Sequence, residues 1–147
     1  MDFTIQQIKP DDIGAIIAID AIHTGESKPK YWQNRLKPLF EKSNGEDFAV
    51  GYVAVHAGHV IGHILAEGRA WEFGSPLCGW IIAIGVHPDF VRNGIALALC
   101  KEICSKFKSL GIRTVRTMVR KDNVNVLSFF RASGFHAGPF IELELEI

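Results

Sequence analysis

The stretch Ile84-Gly85-Val86-His87-Pro88-Asp89-Phe90-Val91-Arg92-Asn93-Gly94-Ile95-Ala96 decides the fold. An apolar strand runs into a short turn, and the turn opens a helix. The first amides of a helix have no partner inside it, and the helix dipole places partial positive charge there. Such a terminus takes an anion. Gly94 and Ala96 let one approach the backbone closely, and Arg92 adds a charged fork. An ordinary strand-to-helix connection with a packing glycine shares this pattern, so the turn alone leaves both readings open. Neither Gly-x-x-x-x-Gly-Lys-Ser/Thr nor Gly-x-Gly-x-x-Gly occurs in the chain, which disfavours a nucleotide-binding domain.

Working outward, residues 79–86 form a near-continuous apolar run, the mark of a strand buried on both faces, and Pro88 ends it. Residues 95–110 read as a helix with Leu99, Ile103, Phe107 and Leu110 as its apolar stripe and Gly111 as its stop. A strand over 112–120 follows. Asp122-Asn123 then caps a helix ending at Gly134. Upstream come a strand over 3–8, a helix opened by Pro10-Asp11-Asp12, a loop over 23–29 and a helix over 31–42 with Pro38 inside it. A hairpin pairs strands over 47–55 and 59–66 across Ala57-Gly58, and a loop over 68–78 leads back to the apolar run. Residues 141–147, Ile-Glu-Leu-Glu-Leu-Glu-Ile, alternate strictly and predict a last strand with one wet face of glutamates. The order is β-α-α-β-β-β-α-β-α-β, an α/β (α+β) chain with a mixed sheet, parallel around the central βαβ unit and antiparallel at the hairpin. No repeat or linker divides residues 1–147, so a single domain is expected.

The chain has 147 residues, and its 16 Lys plus Arg balance 16 Asp plus Glu. That balance argues against nucleic-acid binding through a broad basic surface. The longest apolar run is too short to span a membrane, and the start of the chain carries no signal-peptide pattern. Cys78, Cys100 and Cys104 fit no disulfide framework and no metal-ligand spacing, so they are expected as reduced thiols in a cytoplasmic protein without a metal. His56, His59 and His63 flank the hairpin without a helical His-Glu-x-x-His arrangement, and read as hairpin surface residues, His59 and His63 sharing a face. Arg113, Arg116, Arg120 and Lys121 read as solvated charge on or after one strand.

Val86-x-Pro88, Phe90, Gly94-Ile95-Ala96 and the long helix resemble motif A of the GCN5-related N-acetyltransferase (GNAT) superfamily. Asn123 followed by Phe129-Phe130-Arg131-Ala132-Ser133-Gly134-Phe135 resembles its motif B, at the family's spacing. The element order matches over essentially the whole chain. The resemblance implies the GNAT fold, a mixed central sheet of about six to seven strands with about four helices. It implies acetyl transfer from acetyl-CoA to a primary amine of a small molecule, amino acid or protein by direct attack. Homodimers are frequent among similar proteins.

The resemblance also assigns residues. Ile84, Gly85 and Val86 offer backbone groups to pantetheine. Val91, Arg92, Asn93, Gly94, Ile95 and Ala96 hold the pyrophosphate, and Asn123 and Phe130 meet the cofactor arm. The family pattern expects Gln or Arg where Val91 stands, and often a tyrosine proton donor where Phe130 stands. These departures favour the alternative of a non-catalytic acyl-CoA-binding module or sensor. For an enzyme, the amine must lose its proton. Glu72, on the loop before the apolar strand, is the first candidate base, Glu67 the second and His87 the third. Glu26, Lys28, Tyr31 and Trp32 are expected in a wall of the acceptor site.

Overall fold

The structure, a computed structural model, describes residues 1–41, 48–70 and 72–147, with the backbone alone at Glu72. The expected end of the second helix at 42 and start of the second strand at 47 lie outside the described residues. The backbone forms two compact units, Met1–Thr117 and Met118–Ile147.

The first unit holds β1 (Thr4–Gln7), α1 (Ile13–Thr24), α2 (Pro29–Leu36), β2 (Phe48–His56), β3 (His59–Arg69), β4 (Cys78–Val86), α3 (Ile95–Ser109) and β5 (Val115–Thr117). The strands form one sheet in the order β1-β2-β3-β4-β5. Neighbours run antiparallel except β4 and β5, which are parallel. Five strands among the described residues replace the expected six to seven, because residues 141–147 join no strand. A lone strand leaves its backbone groups and apolar face without partners, so alternation without a paired edge does not make one.

α1 and α2 cover one face of the sheet. Ile16, Trp32 and Leu36 bury against Ile8, Val53 and Leu65 there. α2 gives way to a 3-10 turn at Lys37–Leu39, where Pro38 supplies no amide to continue the expected helix. α3 covers the other face. Its Ile95 and Leu99 lie over Gly62, and its Phe107 lies over Gly79.

Two irregularities matter for the site. Val55 pairs with Val60 but Ala54 with Gly62, so Ile61 is an extra residue in β3. Val60 therefore packs against the same cluster as Leu65, and the parity that gave His59 and His63 one face is broken. His63 is buried, 3% exposed, which corrects the surface reading. Likewise Leu65 pairs with Ala83 and Ala66 with Ile81, leaving Ile82 as an extra residue in β4. Beyond Ile81, β4 is half-buried, short of the burial on both faces that its apolar run suggests.

The second unit holds α4 (Val124–Ala132). Asn123 caps it, the side-chain oxygen accepting from the Val126 amide (3.3 Å). Phe130 is buried between the rings of Phe129 and Phe135.

Candidate active site

β4 pairs with β5 at Gly79–Val115, Trp80–Arg116 and Ile81–Thr117, and the pairing stops there. The Thr117 hydroxyl donates to the Ile81 carbonyl (3.0 Å) and closes the ladder. From 82 to 86, that side of β4 is a bare edge within the first unit. There the peptide groups of Ile84 and Val86 point outward without a strand partner in the first unit, and the extra residue at Ile82 sharpens the local twist.

The bare edge runs into the turn quoted at the outset. Pro88–Phe90 form a single 3-10 turn, with the Asp89 amide donating to His87 Nδ1 (3.2 Å). Asn93 Nδ2 donates to the carbonyls of Phe90 (3.1 Å) and Val91 (3.3 Å). Asn93 therefore shapes the turn from within. Arg92 (φ 66°) and Gly94 (φ 77°) are both left-handed. For Arg92 that conformation is uncommon and is held by the turn around it. A Cβ built on Gly94 would meet nothing within 4 Å, so the space above it is open. Gly94 is the N-cap of α3 and offers no side-chain cap. The first helical bond runs from the Ala98 amide to the Gly94 carbonyl (3.0 Å). The amides of Ile95, Ala96 and Leu97 thus lack partners inside the helix, at its positive end. Open space above uncapped amides fits a phosphate. Arg92 is exposed beside it, and Val91 is 49% exposed.

A cluster that the sequence did not reveal lies where α1 meets the end of β4. His23 Nε2 meets the Val86 carbonyl at 2.7 Å, across 63 residues of chain. The next amide, His87, donates to Ile61 in β3 (2.8 Å). In a trans peptide the Val86 carbonyl points the opposite way, toward the bare edge. Since a carbonyl only accepts, Nε2 must carry the proton, leaving Nδ1 as the acceptor of a neutral ring. One turn earlier, Asp20 accepts from the Trp32 indole (3.0 Å) and pairs with Lys28 (3.1 Å). Burial raises the Asp20 pKa, but the hydrogen bonds from Trp32 and Lys28 and the Lys28 charge outweigh it, so the carboxyl sits below its ordinary value.

His63 packs edge-on against Trp32 (5.5 Å between ring centres) and directly beneath Gly85. Its Nδ1 has no hydrogen-bond partner. Burial pushes its pKa down to about 4; the Asp20 charge opposes this and His23 adds to it. The folded protein thus holds His63 neutral where the unfolded chain would protonate it below about 6.5. The unfolded state binds more protons through that window, so stability falls as pH drops from about 6.5 toward 4, by up to about 3 kcal/mol. Denaturation midpoints at neutral pH and at about pH 4.5 should differ for the native chain and much less for His63→Leu. Equal losses in both would rule His63 out as the cause.

The other expected site residues fall as follows. Trp32 is core, 3% exposed, and reaches the site through Asp20 and His63. Lys28 lies over the Tyr31 ring (5.7 Å), Tyr31 is 51% exposed and Glu26 is exposed. Glu67 pairs with Arg69 (3.0 Å). The role expected of Glu72 rests on a side chain outside the described residues. Arg116 is not solvated charge; it donates to the Ser75 hydroxyl (2.7 Å) and reaches Cys78 Sγ (3.1 Å). Arg120 pairs with Asp122 (2.8 Å). Asn123 and Phe130 belong to the second unit. Among the described residues no group of three His, Cys, Asp or Glu converges on a metal position, and no helix is long and apolar enough to cross a membrane.

Comparison with known proteins points the same way as this geometry. The model of the acetyltransferase (GNAT) family matches residues 19–135. Acetyltransferase SG1711 of Sodalis glossinidius (strain morsitans) is 32% identical over 90 residues, covering 61% of this chain and 59% of the relative. Among solved structures, AAC(6')-Iy in complex with the bisubstrate analogue CoA-S-monomethyl-acetylneamine superimposes with a TM-score of 0.81 at 16% identity, over 100% of this chain and 99% of that one. The ribosomal-protein-alanine N-acetyltransferase of Brucella melitensis biovar Abortus 2308 gives 0.79 at 14% identity, over 100% of both chains. At such identities these structures establish the shared fold.

Proposed function

Because this chain belongs to the acetyltransferase (GNAT) family, we propose that residues 1–147 act as one N-acetyltransferase domain, moving an acetyl group from acetyl-CoA to a primary amine. The observation that carries this reading is the bare edge of β4 over 82–86 leading straight into the uncapped N-terminus of α3. One element offers peptide groups in a row and the next offers unpaired amides, the sequence of contacts that an amide-bearing arm ending in pyrophosphate requires. Acetyl-CoA supplies the activated thioester carbonyl. Ile84 and Val86 hold the arm through their backbone, whereas Gly85, expected to do the same, turns its peptide groups toward β3. The amides from Val91 to Ala96 hold the pyrophosphate, with Arg92 beside them.

The attacking amine must be neutral, so a nearby group takes its proton. Glu72 remains the first candidate from its position before β4. Glu67 is second, although its ion pair with Arg69 favours a structural role. His23 joins them on geometry, because the Val86 carbonyl fixes its tautomer and turns Nδ1 into an acceptor. Glu26, Lys28, Tyr31 and Trp32 line or support the acceptor side. The acceptor is a small molecule, an amino acid or a protein amine. The structurally similar proteins named above are an aminoglycoside N-acetyltransferase and a ribosomal-protein-alanine N-acetyltransferase, so this fold serves amines of both kinds. Three free thiols suit work in the reducing cytoplasm.

Thiol release from acetyl-CoA, followed across a panel of aminoglycosides, polyamines, amino acids and peptide N-termini, tests the reading. Release with at least one amine class is expected. A second reading follows from Phe130, a buried ring with no proton to give where a tyrosine often stands. Under it the protein binds acetyl-CoA tightly as a sensor and releases no thiol with any amine.

A further inference from the structure

The three thiols stand in different surroundings. Cys78 is 2% exposed, and both Arg116 (3.1 Å) and the Ser75 hydroxyl (4.0 Å) donate to its sulfur. Cys100 is 3% exposed, on the rim of the α3 face that packs Leu99, Ile103 and Phe107 inward. Cys104, one turn further along α3, is half-buried. A reagent dissolved in water therefore reaches one thiol of the three.

Cys100 and Cys104 act on each other. Each Cα–Cβ bond of a helix tilts toward the N-terminus, so a residue leans over the one four places earlier. The two thiols are hydrogen-bonded, and the buried Cys100 S–H donates to Cys104 once Cys104 has lost its proton. That bond holds the Cys104 thiol down at about 7, against its partial burial, and pushes the Cys100 thiol up. The pair does not close on itself. Cβ atoms four residues apart in a helix lie about 5–6 Å from each other, whereas a disulfide needs roughly 3.5–4.5 Å.

The charges around Cys104 are of one sign. Residues three and four apart share a helix face, which places the exposed Lys101 and Lys108 beside it. The remaining neighbours at that spacing are Cys100 and Phe107, so no carboxylate stands there. Glu102, two residues away, lies on another side of α3, where its charge acts on the Tyr52 hydroxyl of β2.

We propose that Cys104 is a site of reversible S-thiolation by anionic low-molecular-weight disulfides, with Cys100 as its hydrogen-bond donor and Lys101 and Lys108 as the flank that attracts the anion. The Cys104 thiolate attacks one sulfur of the disulfide. The new S–S bond forms as the old one breaks, and the other half leaves as a thiolate that takes a proton from water. Excess free thiol runs the same exchange backward. Lowering a thiol from about 8.5 to about 7 raises its thiolate fraction at pH 7 about fifteenfold and lowers its nucleophilicity about fivefold. The net gain is only about threefold, so exposure decides which thiol reacts. The proposal is independent of acetyl transfer, and holds equally for a protein that only binds acyl-CoA.

The full chain is incubated with oxidised glutathione, an anion, or with cystamine, a cation, and the adduct is located by peptide mass. One adduct is expected, at Cys104, removed by dithiothreitol. Added salt should slow oxidised glutathione and speed cystamine. Lys101→Gln with Lys108→Gln should slow oxidised glutathione about threefold and leave cystamine no slower. Cys100→Ala should move the pH midpoint of the Cys104 rate up by about one unit, and Cys100→Ser, which keeps a donor, should restore it in part. First modification at Cys78 or Cys100, a disulfide between residues 100 and 104, an adduct that forms only on unfolding, or the reverse salt dependences overturn the proposal. An unmoved midpoint in Cys100→Ala overturns the role given to Cys100. The native chain alone decides the first set, even where a variant misfolds.

Discussion

Gly94→Glu is expected to abolish acetyl-CoA binding, weakening it at least about a hundredfold, while leaving the chain folded. The backbone at Gly94 is left-handed (φ 77°), which costs a side-chain-bearing residue roughly 1–2 kcal/mol. A Cβ there clashes with nothing, so the sheet and α3 need not move. The added carboxylate enters the open space over the amides of Ile95, Ala96 and Leu97. It caps them itself, and its charge repels the pyrophosphate that the proposed function puts there. Titration calorimetry with acetyl-CoA, alongside circular dichroism, separates loss of binding from loss of fold. Gly94→Asn, which tolerates the left-handed conformation, should retain most of the affinity. Unchanged affinity in the Glu variant would mean that the turn is not the cradle.

The second large effect is on stability. Gly79→Ala should lower it by roughly 2–3 kcal/mol, a drop in Tm of roughly 8 °C. A Cβ at Gly79 would stand 2.5, 2.6 and 2.8 Å from three atoms of the Phe107 ring. That ring is fully buried and leans on Phe48 (6.1 Å), so it has no open side to turn to. The strain falls where β4 first meets β5, since the Gly79 amide donates to the Thr114 carbonyl (2.9 Å). Combining the change with Phe107→Leu should recover stability relative to the sum of the two single losses. Additivity in that cycle would show that the two side chains do not compete for space.

The helices and most strands were legible because their signals are local. The apolar stripe of α3, the Ala57-Gly58 turn and the Asn123 cap each announce an element within a few residues. The turn at Gly94 was legible for the same reason. Pairing was not. The strands expected at 112–120 and 141–147 have the right alternation, but whether an edge receives a partner depends on the rest of the assembly. The bulge at Ile61 was also invisible. One extra residue reversed the face of His63 and took a presumed surface imidazole into the core beside Trp32. The cluster of Asp20, His23, Trp32 and His63 joins α1, α2 and β3, and the His23 tie to Val86 spans 63 residues. No spacing rule encodes a contact of that range.

The bare edge of β4 and the uncapped start of α3 are made of peptide groups, and that bears on how the chain can diverge. Every residue type except proline brings the same amide and carbonyl, so such a site asks for a backbone path and a few positions such as Gly94, and for little else. Side chains around it are free to drift. At 14–16% identity the backbone still superimposes with TM-scores of 0.79–0.81 on its structural relatives. In the proposed reaction, acceptor choice rests on side chains such as those around His23 and Lys28, which carry no such protection, so a change of amine can arise by substitution there while the cradle stays as it is.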